Sequence, residues 1–300
     1  VSQTINGPAF VLLAFYIATA KKQGVQLRDL QGTLQNDILK EFTAQKEWIF
    51  PPKASMRIIT DMLIYCSNNL PKFNTISISG YHMREAGCDA IQELAFTFSN
   101  AIAYVESAIK KGLDPNDFGA QLSFFFNGHN DFFEEVAKFR SARRIWSKIM
   151  KERFNVSRKK ALMCRFHVQT AGSTLTAQQS DNNIVRTSMQ ALAAVFGGAQ
   201  SIHTNSKDEA LSLPSAKSAQ TALRTQQIIA EESMVSNSID PLSGSFLIED
   251  LTQKLEHKTF KLIDKIDSLG GAVEAIKLNF QEQEISKTAY EFQKSIESKK

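Results

Sequence analysis

Residues 75–87 read TISISGYHMREAG, and this stretch decides how the chain is organised. Strand side chains alternate between two faces, so Ser77 and Ser79 share one face while Ile76 and Ile78 share the other. If the isoleucines meet covering helices, the hydroxyls point inward. An ordinary (β/α)8 barrel fills its interior with bulky branched residues, so an interior lined by hydroxyls predicts a passage instead. Tyr81 and His82 then stand at the carboxyl mouth, where barrel enzymes keep their chemistry.

Outward from that stretch, short strand-like runs alternate with longer helical ones. The pattern predicts strands near 29–34, 75–79, 121–126, 161–168 and 199–203, and helices near 8–23, 54–68, 85–112, 131–153 and 181–195. Strands recurring at βα spacing predict an α/β chain whose parallel sheet forms a partial TIM barrel. Five strands and a terminal piece at residues 1–5 make most of such a barrel, with the remaining N-terminal strands expected upstream. Beyond Ser215 the pattern is helical, broken at Asp240–Gly244 and Gly270–Gly271. The expected division is therefore a barrel part at 1–215 and a helical region at 216–300 packing on or following it. Val1 and the pair Lys299–Lys300 read as cut ends of a longer chain.

Composition narrows the function classes. A hydrophobic content of 43% and a charged content of 22% are those of a globular protein with ample core. The net charge of +4 is spread through the helical segments rather than gathered in a patch, which mildly favours anionic ligands and gives no nucleic-acid signature. Cys66, Cys88 and Cys164 are odd in number and lack CxxC spacing, which predicts a reduced, cytoplasmic chain without a zinc site. The apolar run Pro8–Ala20 has no basic leader and is too short to span a bilayer, so it reads as a buried helix and no membrane association is expected.

The strand ends raise the reading above a generic barrel. Gln35, Tyr81 with His82, Asn127 with His129, His167 with Gln169, and His203 with Asn205 close successive strands and converge on one mouth. Period two puts Arg165, His167 and Gln169 on one face, as it does Ser201, His203 and Asn205. No carboxylate pair, Ser–His–Asp set or metal cluster accompanies them, and GxGxxG and P-loop motifs are missing from the sequence. Such a mouth suits holding a neutral, oxygen-rich ligand better than hydrolysing one. His129 in FFFNGHNDFFEE reads as part of a turn and cap, Phe125 as a tunnel-lining residue, Phe132 and Phe133 as helix core, and His257 as solvent-facing.

Five segments, LQGTLQNDILKEF (30–42), FPPKASMRIITDM (50–62), SISGYHMREAG (77–87), FHVQTAGSTLTAQQ (166–179) and QSIHTNSKDEAL (200–211), resemble the substrate-binding barrel of the adenosylcobalamin-dependent acyl-CoA mutases, the methylmalonyl-CoA mutase family. The resemblance runs through all 300 residues. It implies a barrel that threads coenzyme A along its axis, with adenosylcobalamin across the carboxyl mouth and radical chemistry supplied by that cofactor. None of the five histidines lies in the family's Asp-x-His-x-x-Gly motif, so the cobalt ligand is expected on a separate domain or small subunit, and an oligomer is expected. Methylmalonyl-type members place an arginine where Gln45 stands, and a glutamine lacks that bidentate charged fork for a free carboxylate. AQKEW (44–48) is instead similar to the large subunits of isobutyryl-CoA and 2-hydroxyisobutyryl-CoA mutases.

By matching position, the resemblance implies that Tyr81 crowds the adenosyl group when substrate enters and that His82 hydrogen-bonds the thioester carbonyl. Gln35, Gln45 and Gln169 would contact the acyl and thioester region, with His167 beside them. Ser2, Thr4, Thr33 and Ser123 match positions touching coenzyme A, and Ser77, Ser79, Phe125 and Arg165 belong to the same substrate-binding set. Asn205 and Glu209 would hold the adenosyl ribose, with Gln200 also on the cofactor side, and no residue is assigned to a metal. Read singly, Tyr81 is a rim aromatic, His82 a helix-start residue, Glu209 a solvated charge and Gln45 a surface amide. Methylmalonyl-CoA/succinyl-CoA isomerisation and a non-catalytic barrel subunit are the alternatives. Degenerate partners lose the mouth residues, so Tyr81, His82, Gln169 and Asn205 together favour catalysis.

Overall fold

The structure is a computed structural model that describes residues 1–298; the lysine pair read above as a cut end lies outside the described residues. Among the described residues seven short strands run in chain order: β1 (Ser2–Gln3), β2 (Gly32–Leu34), β3 (Phe73–Asn74), β4 (Ile76–Ser79), β5 (Leu122–Gly128), β6 (Phe166–Thr170) and β7 (Ser201–His203). All pair in parallel, in the orders β1-β2-β3 and β4-β5-β6-β7. Only Thr75 separates β3 from β4, and the Ser77 N–H donates to the Gln35 carbonyl at 2.9 Å across that seam. The run 73–79 is thus one staved strand shared by two ladders, and the sheet is a six-staved parallel wall, part of a barrel.

Helices α1 (Ala9–Lys22), α2 (Pro52–Asn69), α3 (Tyr81–Glu85), α4 (Ala90–Lys110), α5 (Pro115–Phe118), α6 (Phe132–Lys148) and α7 (Asn182–Phe196) provide the crossovers. Their starts are written locally. Pro52 occupies the first turn of α2, and Asp89 with Gln92 forms a capping box at α4. The Asp131 carboxylate caps α6 by accepting from the Glu134 N–H. Four further helices follow: α8 (Ala216–Glu231), α9 (Phe246–Ser268), α10 (Ala272–Lys277) and α11 (Phe280–Glu297).

The pleat sorts the core as the alternation predicts. Ile76, Ile78, Phe124, Phe126, Phe166 and Val168 point to the helices and join Leu94, Phe98 and Trp146 in the main hydrophobic core. Ile263 of α9 and Ile276 of α10 enter the same core, so the helical tail packs on the outside of the wall against α4 and α6. Among the described residues no helix is long and apolar enough to cross a membrane. Cys66, Cys88 and Cys164 are buried and unpaired.

Several sequence expectations need correction. The strand expected at 161–168 starts only at Phe166, because Lys159–Leu162 close a 3-10 turn first. The helix expected at 85–112 is two helices, α3 and α4, since Gly87 takes a φ of +113° and Asp89 restarts the chain with its cap. The Pro8–Ala20 run is helical but not buried: α1 packs one stripe on α2 and leaves Phe15 63% exposed. Phe133 is 47% exposed rather than core, whereas Phe132 packs with Val136, Ala193 and Ile248.

Candidate active site

Inside the wall lies a cavity of about 800 Å³. Ser2, Thr4, Thr33, Ser77 and Ser123 line one side with hydroxyls, and Arg165, His167, Gln169, Ser201 and His203 line the other. These come from the pleat face opposite the core, which is why hydroxyls and imidazoles replace branched side chains there. Gln35, Asn74, His82, Phe125 and Gln200 complete most of the wall. Asn6 donates to the Gln35 amide oxygen at 2.8 Å and Asn74 to the Thr33 hydroxyl at 3.1 Å, while a His167 ring nitrogen sits 2.7 Å from the Ser201 hydroxyl.

The mouth is shaped by a close approach at Gly80. A Cβ there would stand 2.6 Å from Thr97 Oγ1 and 2.8 Å from Glu93 Cγ, so only glycine lets β4 turn into α3 while hugging α4. The Gly80 N–H donates to the Phe125 carbonyl at 2.7 Å. Tyr81 consequently stacks on Phe125, and the His82 ring stands perpendicular to both. Burial, assisted by the Lys40 charge, pushes His82 down to about 3, so the imidazole is neutral at ordinary pH. Its Nδ1 is buried without a partner. A neutral imidazole carries one N–H donor, and a desolvated ring with an idle nitrogen gains by meeting a ligand. Burial, then Glu85, raises the Tyr81 phenol, which stays protonated.

Carboxylates near the mouth are engaged in scaffolding. Glu85 accepts from Asn127 Nδ2 at 2.7 Å and from the Ser173 N–H at 2.8 Å, tying α3 to β5 and to the loop after β6. Beneath it, the fully buried Lys138 ammonium reaches Glu93 at 2.7 Å, Glu135 at 2.6 Å and the Asn127 carbonyl at 2.7 Å. Burial would raise Glu135, yet Lys138 and Arg84 hold it low, while burial keeps Glu93 raised. Asp37 accepts from the Ser79 N–H at 2.7 Å and from the Tyr104 hydroxyl at 2.5 Å, fixing the end of β4.

The cavity brings together Ser2, Thr4, Thr33, Gln35, Ser77, His82, Ser123, Phe125, Arg165, His167 and Gln169. Ser79 departs from its expected place: it is fully buried, and its hydroxyl turns back to the Ser77 carbonyl at 3.1 Å. Gln45 is not in the cavity wall either; it ends a π-helical turn at Glu41–Gln45 and is exposed, its amide oxygen held by Lys40. Gln200 precedes β7, at the amino end, where its amide oxygen accepts from the Phe166 N–H at 2.6 Å, far along the strand from Asn205. Asn205 is buried, accepting from Gln169 at 2.9 Å and donating to the Thr170 carbonyl at 2.8 Å, so it braces Gln169. Glu209 is exposed in the turn that follows. His129 sits in the β5–α6 turn as expected, its N–H bonded to Glu135, and His257 is exposed. Sequence reasoning missed Asn74 in the wall and Lys40 beneath the turn. The available signal was a Lys40–Glu41 pair set between the apolar Ile38–Leu39 and Phe42.

The methylmalonyl-CoA mutase family model matches residues 1–300. The chain is 50% identical over 291 residues to the 2-hydroxyisobutanoyl-CoA mutase large subunit of Aquincola tertiaricarbonis, covering 97% of this chain and 52% of that protein. It is 47% identical over 300 residues to the methylmalonyl-CoA mutase of Escherichia coli, covering 100% of this chain and 42% of that protein. With the human mitochondrial methylmalonyl-CoA mutase it shares 46% over 298 residues, covering 99% and 40%. The chain thus spans about half or less of the length of these curated relatives.

Proposed function

Because this chain belongs to the methylmalonyl-CoA mutase family, we propose that its cavity is the acyl-CoA channel of a coenzyme-B12-dependent carbon-skeleton mutase. One observation supports this reading: a cavity of about 800 Å³ on the inner face of a parallel wall is lined by hydroxyls, amides and imidazoles, among them a neutral histidine with an idle ring nitrogen. Hydroxyls of Ser2, Thr4, Thr33, Ser77 and Ser123 would hold the pantetheine by neutral hydrogen bonds, and Arg165, near the amino end, suits a phosphate. His82 would donate to the thioester carbonyl, and Gln35 and Gln169 would orient the acyl group. Phe125 and Tyr81 would exclude water from the reacting carbon.

The mouth also fits a broad cofactor. Tyr81 presents a half-buried ring, Asn205 is held by its neighbours, and Glu209 is free at the rim. Adenosylcobalamin, when bound, supplies the homolytic hydrogen-atom chemistry. The histidine that ligates cobalt is assigned to a separate domain or subunit, and the working form to an oligomer. A cytoplasmic location and a division of the chain near Ser215 belong to the same proposal.

For the substrate we propose a short-chain monocarboxylic acyl-CoA, either isobutyryl-CoA/n-butyryl-CoA or 2-hydroxyisobutyryl-CoA/3-hydroxybutyryl-CoA. The support for this over methylmalonyl-CoA comes from the family resemblance: Gln45, which lies outside the cavity wall, stands where methylmalonyl-type members carry an arginine, and an amide offers no countercharge to a free carboxylate. In a competition assay with full-length protein, adenosylcobalamin and its cobalamin-binding partner, a monocarboxylic thioester should be isomerised faster than methylmalonyl-CoA. Faster methylmalonyl-CoA turnover refutes the substrate reading, and no isomerisation of any thioester refutes the function.

A further inference from the structure

The helix that carries Tyr81 and His82, α3, is five residues long, and neither of its ends has a side-chain cap. So short a helix does not hold its own place, and its setting comes from tertiary bonds. At its start the Gly80 N–H reaches the Phe125 carbonyl. At its far end the half-buried Glu85 carboxylate accepts from uncharged donors alone: Asn127 Nδ2 at 2.7 Å, the Ser173 N–H at 2.8 Å and the Ser173 hydroxyl at 3.1 Å. Asn127 is fully buried and fixed by its own backbone, its N–H on Glu93 at 2.7 Å and its carbonyl on Lys138 at 2.7 Å. Its amide turns the NH2 to Glu85 and leaves Oδ1 buried without a donor, a cost that the carboxylate imposes. Ser173 is exposed, in the 3-10 turn Gly172–Thr174 that follows β6. Asn127 also pairs in register with Gln169 on β6. Glu85 therefore joins the helix of His82 to the strand pair that carries Gln169.

We propose that Glu85 is a positioning residue: by clasping Asn127 and Ser173 it fixes the rotation of α3, so that His82 and Gln169 face one ligand in constant register. This rests on the acyl-CoA reading above and adds to it the residue that aims the His82 donor at the thioester carbonyl. Hydrogen bonds weaken steeply with misalignment, so a small rotation of a one-turn helix is enough to lose that bond. Tyr81 depends less on the clasp, because its ring is stacked on Phe125.

The test reads the bond itself, by infrared spectroscopy of butyryl-CoA isotope-labelled at the thioester carbonyl carbon. The ligand is bound to the full-length protein without adenosylcobalamin, so that nothing turns over. In wild type the carbonyl stretch should move to lower frequency on binding, as a single narrow band, and His82→Ala should remove that shift. Glu85→Gln sets an NH2 against one of the donors of Asn127 or Ser173 and opens the clasp. Most of the shift should then be lost, or the band should split, while affinity falls by less than about tenfold, the worth of one net hydrogen bond. Should Glu85→Gln fail to fold, Ser173→Ala at the exposed turn removes one arm of the clasp and should lose part of the shift. A full, narrow shift in folded Glu85→Gln, or in Ser173→Ala where only that variant folds, overturns the role of Glu85. Failure of the wild type to bind the thioester or to shift its band overturns instead the acyl-CoA reading on which this rests.

Discussion

Tyr81 lies flat on Phe125, with ring centroids 4.9 Å apart and planes 3° from parallel. The two residues come from different staves, one from the turn after β4 and one from within β5, so the stack ties the mouth to the cavity wall. Such an offset stack adds about 0.5–1.5 kcal/mol beyond simple area burial. The place of the Tyr81 ring is therefore set from below by Phe125 rather than by its own short helix.

If the full-length protein has the proposed activity, Phe125→Ala should let the Tyr81 ring wander and slow substrate-triggered cobalamin cleavage by about twofold to tenfold, the equivalent of the lost stack. Tyr81→Phe keeps the stack and should stay near wild type, whereas Tyr81→Ala should fall further than Phe125→Ala. Stopped-flow absorbance of the cofactor reads this directly, and an unchanged rate in Phe125→Ala would remove the proposed support.

Stability should fall as the solution becomes acidic. Burial holds His82 down to about 3 and His129 and His167 down to about 4, against an ordinary 6.5. The unfolded chain takes up protons below pH 6.5 that the folded chain refuses, so stability is lost between roughly pH 6.5 and 4. Asp37 works the other way: burial raises it from 3.8 to about 6, so it costs stability as pH rises through that window and partly offsets the histidines. His129→Asn, away from the cavity, should flatten the slope by up to about 1.4 kcal/mol per pH unit. Urea midpoints at pH 5, 6 and 7 measure it, and parallel slopes for variant and wild type would contradict the assignment.

Helix α11 braces the corner behind the mouth at one tight point. A Cβ on Gly87 would stand 2.4 Å from the Ala289 Cβ, and the φ of +113° disfavours any other residue. Gly87→Ala should destabilise the protein by roughly 1–3 kcal/mol. Adding Ala289→Gly should recover only part of that loss, since it relieves the clash and leaves the backbone strain. Thermal unfolding of the single and double variants separates the two contributions; complete recovery would show that strain at Gly87 is negligible.

Much of this was legible because alternation in a strand is a strict rule. Ile76 and Ile78 against Ser77 placed the core and the cavity on their proper sides, and the same rule put His167 and Gln169 inside. What failed was local chemistry that periodicity does not see. Ser79 obeys the pleat yet spends its hydroxyl on its own strand, because the chain turns at Gly80 directly over it. The break at Gly87–Asp89 was hidden by continuous helical propensity on either side, and the exposure of Phe15 and Phe133 depends on neighbours that a local pattern cannot specify. Asn205 and Gln200 needed three-dimensional partners before their amides could be placed.

The most direct test of the proposed function is the kinetics of His82→Ala in the full-length protein with the proposed cobalamin-binding partner. If the neutral imidazole donates to the thioester carbonyl as charge shifts during migration, kcat should fall by roughly 10²–10³, the cost of removing one preorganised donor, while thioester affinity changes little. The drop should be similar from pH 6 to 8, because His82 stays neutral throughout that range. Near-normal turnover by His82→Ala would leave this residue as no more than the start of a helix and would contradict the account.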